Sequence, residues 1–218
     1  MGLSFMTVFS GADLACIRSE RIVFARLAFQ VKAGGALLLV GPNGSGKSSL
    51  LRVMAGLLKP AAGTLAWDDD DVADDKDAHG SRLHYVGHHD AVKPVLTVAE
   101  NVRFWAGLWG GDDVGRRVDD ALDAFQIGHL ADIPGRFLSA GQKRRVNLAR
   151  IIAAPAPLWL LDEPTTALDA DAISSLESAI RAHRETGGMV ITSTHTDIGL
   201  DDAQMLNLDT FHYTGDAA

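Results

Sequence analysis

Cysteine is almost missing from this chain of 218 residues, with Cys16 standing alone. An internal disulfide framework is therefore excluded, and the composition fits a reducing compartment. Also missing is any apolar run approaching the roughly 20 residues that cross a bilayer. A membrane role would need a partner. The opening stretch MGLSFMTVFSGAD lacks a basic region followed by an apolar one, so no secretory signal is expected. There is no basic stripe of the kind a nucleic-acid binder carries, and no internal repeat or long linker. Together these absences predict a cytosolic chain.

What is present is a chain that is 47% hydrophobic, enough for one well-filled core or a large domain with a small lobe. The net charge of −8 is concentrated. DDDDVADDKDAHG (68–80) holds seven Asp against one Lys, a balance of −6 that leaves −2 for the rest. Such a block repels itself, which predicts a solvated loop between two strands. The alternative, a cation site, has no ordered ligand spacing behind it.

The first stretch, roughly 3–31, reads as short strands separated by turns. ALLLV (36–40) is an apolar run between glycines and predicts a strand buried on both faces. A glycine-rich turn follows, then a helix from about Lys47 to Ala55 stopped by Gly56. GTLAW and LHYV flank the acidic run as strands. Thr97 and Glu100 form a capping box before NVRFWAGLW, VGRRVDDALDAFQ reads as a second helix, and a third begins at Ser139, where Gln142 completes another S-x-x-Q box. PLWLLD and GMVITST read as buried strands around the helical ADAISSLESAIRAHRE. The fold class is α/β, interrupted by a helical lobe.

GPNGSGKSS (41–49) follows a buried strand and opens a helix, the context a phosphate loop requires. The loop Gly41, Pro42, Asn43, Gly44, Ser45 and Gly46 would cradle phosphates with its backbone N–H groups, which Pro42 alone lacks, and a β-carbon at Gly44 or Gly46 would obstruct that approach. Lys47 would contact the outer phosphates, Ser48 would ligate Mg²⁺, and Ser49 completes the motif. LWLLDE places Asp162 to hold the same ion and Glu163 to polarise an attacking water as general base. His195, where STHTD leaves the sheet, is a structural histidine or a γ-phosphate contact. The amides beyond the Ser139 cap favour an anion.

These motifs, in this order and spacing, resemble those of the ATP-binding cassette (ABC) ATPases over nearly the whole chain. GPNGSGKSS is similar to the family's Walker A, LWLLDE to its Walker B and LSAGQ (138–142) to its signature. TALD, ending at Asp169, is similar to the D-loop, and His195 to the switch histidine. The resemblance implies a P-loop NTPase core with a mainly parallel sheet, an N-terminal antiparallel β region and a helical lobe. The core is expected over about 1–90 and 155–218 and the lobe over about 91–154, all within one domain. It also implies ATP and Mg²⁺ as cofactors, an integral membrane permease as partner, and a head-to-tail dimer. In that dimer Ser139, Gly141 and Gln142 of one copy grip ATP on the other. Ala140 replaces a signature glycine.

Two positions depart from the family. After HYVG the family places a glutamine that reaches Mg²⁺; here His88, beside His89, takes that slot. It is carried as a metal candidate, with coupling to the partner and a haem role as alternatives. The family stacks an aromatic ring on adenine where this chain has Arg18, a guanidinium that either stacks on the base or faces solvent.

Within the family, GHHDAVK, LTVAENVRFWAGL and DIPGRFLSAGQKRRVNLARI resemble the ATP-binding subunits of bacterial cytochrome c maturation systems. That implies haem-handling membrane partners and a place on the cytoplasmic face of the inner membrane. Competing readings are an ABC ATPase for another substrate, an ABC-type nucleic-acid factor, and a partnerless ATPase or kinase. No tandem cassette or coiled-coil insert supports the second, and the signature motif opposes the third. Phe104, Trp105 and Trp109 either line a groove for a membrane partner or belong to the core.

Overall fold

A computed structural model describes residues 7–211. Residues 3–6 of the expected N-terminal strand region lie outside them. Strands β1 (Val8–Arg18) and β2 (Arg21–Lys32) form an antiparallel hairpin through Ser19 and Glu20, both at positive φ. Such a two-residue turn matches the right-handed twist of its strands. These are two long strands where several short ones were expected. Register shifts after Gly11, Leu14 and Cys16 break the alternation that would have announced their length. With β4 (Ala62–Trp67) and β5 (Asp70–Asp71) the hairpin builds a four-stranded sheet in the order β2-β1-β4-β5.

The second sheet is parallel throughout, in the order β6 (Leu83–Val86), β7 (Leu158–Asp162), β8 (Met189–Ser193), β3 (Ala36–Val40), β9 (Gln204–Asn207). Every residue of β7 and β8 is buried. Their side chains alternate between two cores. Leu158, Leu160, Met189 and Ile191 pack with the antiparallel sheet and helix α1 (Lys47–Met54), while Trp159, Leu161 and Val190 face the other way. On that other side stand α3 (Val98–Leu108), α4 (Val114–Ala124), α5 (Ala140–Ala153) and α6 (Ala170–Glu185). A sheet covered on both faces has no polar face to expose, hence the continuous apolar strands. Among the described residues, no helix is long and apolar enough to cross a membrane.

The acidic run is only partly the solvated loop that its charge suggested. Asp70 and Asp71 pair with β4, and Asp75 caps α2 (Lys76–Ser81) by accepting the amide of Ala78 at 2.8 Å. His79 then turns inward. Its Nδ1 accepts the Trp67 indole N–H at 2.9 Å, so its Nε2 carries the proton and donates to the Met54 carbonyl at 2.9 Å. One buried imidazole thus fastens the acidic segment to the end of α1.

Burial depresses the pKa of three such rings. His79 is shifted down, and His84 and His183 fall to about 4. His84 bonds the Ala154 carbonyl, and His183 stacks flat on Trp159 at 3.9 Å. The unfolded chain takes up protons below about pH 6.5 that the folded chain refuses. Stability is therefore complete above that pH and declines as pH falls toward 4. By pH 5 the loss is about 2 kcal/mol for each of His84 and His183. Urea unfolding at pH 7.5 and pH 5, above the range of ordinary carboxylates, measures it. Equal stability at the two values would contradict neutral burial.

Candidate active site

Strand β3 ends at Val40 and the chain turns through Gly41–Gly46 into α1. Gly46 caps that helix at φ 101° with no side-chain cap, so the first-turn amides face outward where an anion is favoured. A β-carbon on Gly46 would meet Val23 Cγ1 at 2.5 Å, while one on Gly44 would meet nothing within 4 Å. The expected steric obstruction at these glycines thus comes from the neighbouring hairpin at Gly46. At Gly44 the constraint is its φ of +86°.

Lys47 is nearly buried, and its Nζ donates to the carbonyls of Gly41 and Pro42 at 2.7 and 3.1 Å. Ser48 Oγ donates to Asp162 Oδ1 at 3.0 Å, and Ser193 Oγ donates to the same oxygen at 2.9 Å. Tyr85 approaches the other carboxylate oxygen at 3.5 Å. Asp162 ends β7 and is only 2% exposed. Glu163 follows at φ 48°, a left-handed backbone unusual for a glutamate, with its amide donating to the Ser193 carbonyl at 2.9 Å. His195 Nε2 lies 3.6 Å from Glu163 Oε1. Arg18, Asn43, Gly44, Gly46, Lys47, Ser48, Ser49, Arg52, Asp162 and Glu163 line one cleft of about 370 Å³.

A second depression, about 330 Å³, holds Ser139, Gly141, Gln142, Arg145, Ala167 and Asp169, and shares no residue with the first. The capping box is formed. Ser139 Oγ accepts the Gln142 amide at 3.2 Å, and Gln142 Oε1 accepts the Ser139 amide at 2.9 Å. It leaves the Ala140 and Gly141 amides untouched, at the positive end of α5. A β-carbon on Gly141 would lie 2.7 Å from the Ala167 carbonyl, so only glycine lets this helix start approach the 166–169 loop. Asp169 caps α6 at the Ala172 amide and receives Arg145 Nη2 at 2.6 Å on both oxygens. These two contacts hold its pKa below the usual carboxylate range, the cap first. Asp169 therefore stands with the signature residues and not with the phosphate loop.

His88 is absent from the cleft lining. Its ring packs edge-on to His89 at 5.6 Å, on a loop whose Gly87 carbonyl is held by Arg144. Arg144 itself was not anticipated, nor were Tyr85, Ser193 and Arg52. The one available signal was an arginine on the face of α5 that also buries Asn147, Leu148 and Ile151. Trp105 and Trp109 turn out to be packed within the chain. Trp105 lies under the Arg150 guanidinium at 4.4 Å, and Trp109 against His84 at 4.3 Å. Phe104 and Leu108 remain exposed.

A family profile described as ABC transporter matches residues 24–166, from the hairpin through both Walker motifs and the signature. The chain belongs to the ABC transporter family. It is an ATP-binding, ATP-hydrolysing subunit of that family. Among curated relatives, the cytochrome c biogenesis ATP-binding export protein CcmA of Paramagnetospirillum magneticum is 62% identical, over 94% of this chain and 95% of its own. The protein of that name from Rhodospirillum rubrum is 63% identical, over 94% and 87%. The solved ATP-binding subunit of an ABC transporter superposes with a TM-score of 0.83 at 23% identity, over 92% and 85% of the two chains. A putative ABC transporter ATP-binding protein from Pyrococcus furiosus gives 0.81 at 24%, over 94% and 99%. Those structures share the fold of this ATPase.

Proposed function

We propose that this ATPase powers a membrane-embedded partner of a bacterial cytochrome c maturation system, in the delivery or release of haem, from the cytoplasmic face of the inner membrane. The identity of 62% to the CcmA relative over almost the whole chain carries that reading. Core (about 1–90 and 155–218) and lobe (about 91–154) act as the two arms of one domain.

In this reading the phosphates of ATP lie on the amides of the 41–46 loop, and Lys47 leaves its carbonyl partners to meet the outer phosphates. The ion expected with ATP prefers hard oxygen donors. Ser48 Oγ and Asp162 Oδ1, 3.0 Å apart, are such a pair. Mg²⁺ held there would neutralise charge developing on the phosphates. Histidine nitrogen suits this ion less well, so His88 is left to the partner-facing loop. Glu163 accepts the proton of the attacking water, with His195 beside it and near the γ-phosphate. Arg18, on the cleft wall, stacks on adenine.

The separation of the two depressions supports a dimer. The Ser139 amide cluster shares no lining with its own phosphate cleft. A second copy, turned head to tail, brings the Ser139, Gly141 and Gln142 cluster to its neighbour's ATP, with Asp169 bracing the seam. ATP held by one loop and gripped by the other copy stabilises the closed pair, and hydrolysis releases it.

Exposed Phe104 and Leu108, with Val95 (75% exposed), form the face for the permease. Purification from membranes tests the assignment. The chain is expected to bring down an integral subunit, and Phe104→Asp with Leu108→Asp to abolish this at unchanged unfolding temperature. Cells lacking the chain should lose haem-stained periplasmic cytochrome c while keeping b-type cytochromes. Normal cytochrome c in those cells would refute the assignment.

A further inference from the structure

Arg144 is a charged residue buried to 2% exposure, and the polar groups around its guanidinium belong to two separate segments. From the signature helix α5 it donates to the main-chain carbonyls of Asp162 (3.1 Å), Glu163 (2.7 Å) and Pro164 (3.0 Å). The same side chain donates to the Gly87 carbonyl at 2.8 Å and pairs with Asp90 Oδ1 at 3.4 Å. Burial weakens its hold on the proton, and Asp90 is the first of the charges that restore it. Asp90 also accepts from Asn147 Nδ2 at 3.3 Å, so its carboxylate is held to α5 twice.

Glu163 is the residue that most needs such a clamp. Its backbone sits in the left-handed region, which a non-glycine residue keeps only when its surroundings over-determine it. On the amide side the restraint is the Ser193 carbonyl, and on the carbonyl side it is Arg144 at 2.7 Å with the longer Thr166 amide at 3.3 Å. Without Arg144 the carbonyl keeps only the longer of its two bonds, the peptide gains room to rotate toward an ordinary φ, and the Glu163 carboxylate turns with it. A lysine cannot replace this clamp, because one ammonium cannot span five acceptors in two planar directions.

We propose that Arg144 is the positioning residue that aims Glu163, and that Asp90 holds Arg144 in that pose, so the 87–90 loop sets the alignment of the base. This rests on the reading of Glu163 as general base. Arg144 touches no reacting atom; it acts through the Glu163 peptide.

The experiment is steady-state and single-turnover ATP hydrolysis by the full-length protein in its assembled complex. Variants are Arg144→Gln, Arg144→Lys and Asp90→Asn, each alone and combined with Glu163→Gln. Misaiming a base by an ångström costs on the order of 10²-fold, so Arg144→Gln is expected to lower kcat by that order with the KM for ATP unchanged. Arg144→Lys should not rescue it. Asp90→Asn, a substitution of equal size at a half-buried site, should lower kcat on the order of tenfold, again with KM unchanged. In the Glu163→Gln background, neither change should slow single-turnover hydrolysis further, because there is no base left to aim.

Effects that multiply in that background, or a KM that rises with kcat constant, would overturn the proposal while leaving Glu163 intact as base. Asp90→Asn with unaltered kcat would overturn it even if the Arg144 variants fail to fold. A Glu163→Gln protein with normal turnover would instead bring down the base assignment itself.

Discussion

Glu163→Gln should reduce ATP hydrolysis by about 10²–10⁴-fold, the usual worth of a positioned general base, and leave ATP affinity unchanged. In barrier height that is about 3–5 kcal/mol. The substitution keeps the volume of the side chain and the main-chain contacts to Ser193 and Arg144, and removes only the ability to take a proton. The cleft offers no obvious substitute. Asp162 already accepts from Ser48 and Ser193, and His195, 3.6 Å from the Glu163 carboxylate, is placed to orient rather than to replace it. Because ATP persists, the nucleotide-bound dimer should accumulate, visible as an ATP-dependent doubling of mass in light scattering. Near-normal turnover in the assembled complex would remove Glu163 from its role.

The parts of the fold that could be read directly are those governed by short-range rules. ALLLV, LWLLD and MVITS became strands because a sheet covered on both faces favours short, nearly continuous apolar runs. Thr97 and Ser139 became caps because each finds its partner three residues on, in the same helix. The helix over 170–185 ends where it was read to end. Misreadings occurred where the deciding contact is remote. Bulges hid the true length of β1, and a histidine reaching α1 ordered half of a run that its charge alone would dissolve. The cleft divides the same way. Lys47, Ser48, Asp162 and Glu163 follow from local motifs, and Arg18 from its place before the loop. The Arg144 clamp depends on carbonyls 18 to 20 residues away and on another 57 away, which no local pattern encodes. His88 falls outside that division: its motif slot suggested a metal contact, and in the structure its ring stands edge-on to His89, apart from the cleft lining.

Lys47→Ala should weaken ATP binding by about 10–100-fold, since a charge-assisted hydrogen bond contributes about 1.5–3 kcal/mol. Its consequences in a mixed dimer are more informative. In the head-to-tail reading each site combines Lys47 of one copy with Ser139 of the other. Ser139→Asp keeps a good helix cap, because aspartate serves at that position as well as serine does. It also puts a negative charge where the neighbour's γ-phosphate must sit, so a pure Ser139→Asp protein should bind ATP on its own loop and fail to hydrolyse it. Pure Lys47→Ala should fail for lack of nucleotide. Mixed dimers of the two contain one site with both defects and one with neither, so hydrolysis should reappear on mixing. It should rise with the fraction of mixed dimers and vanish on dilution below the dimer affinity. A mixture as inactive as its components would place the Ser139 cluster and the phosphate loop in service of something other than one shared nucleotide.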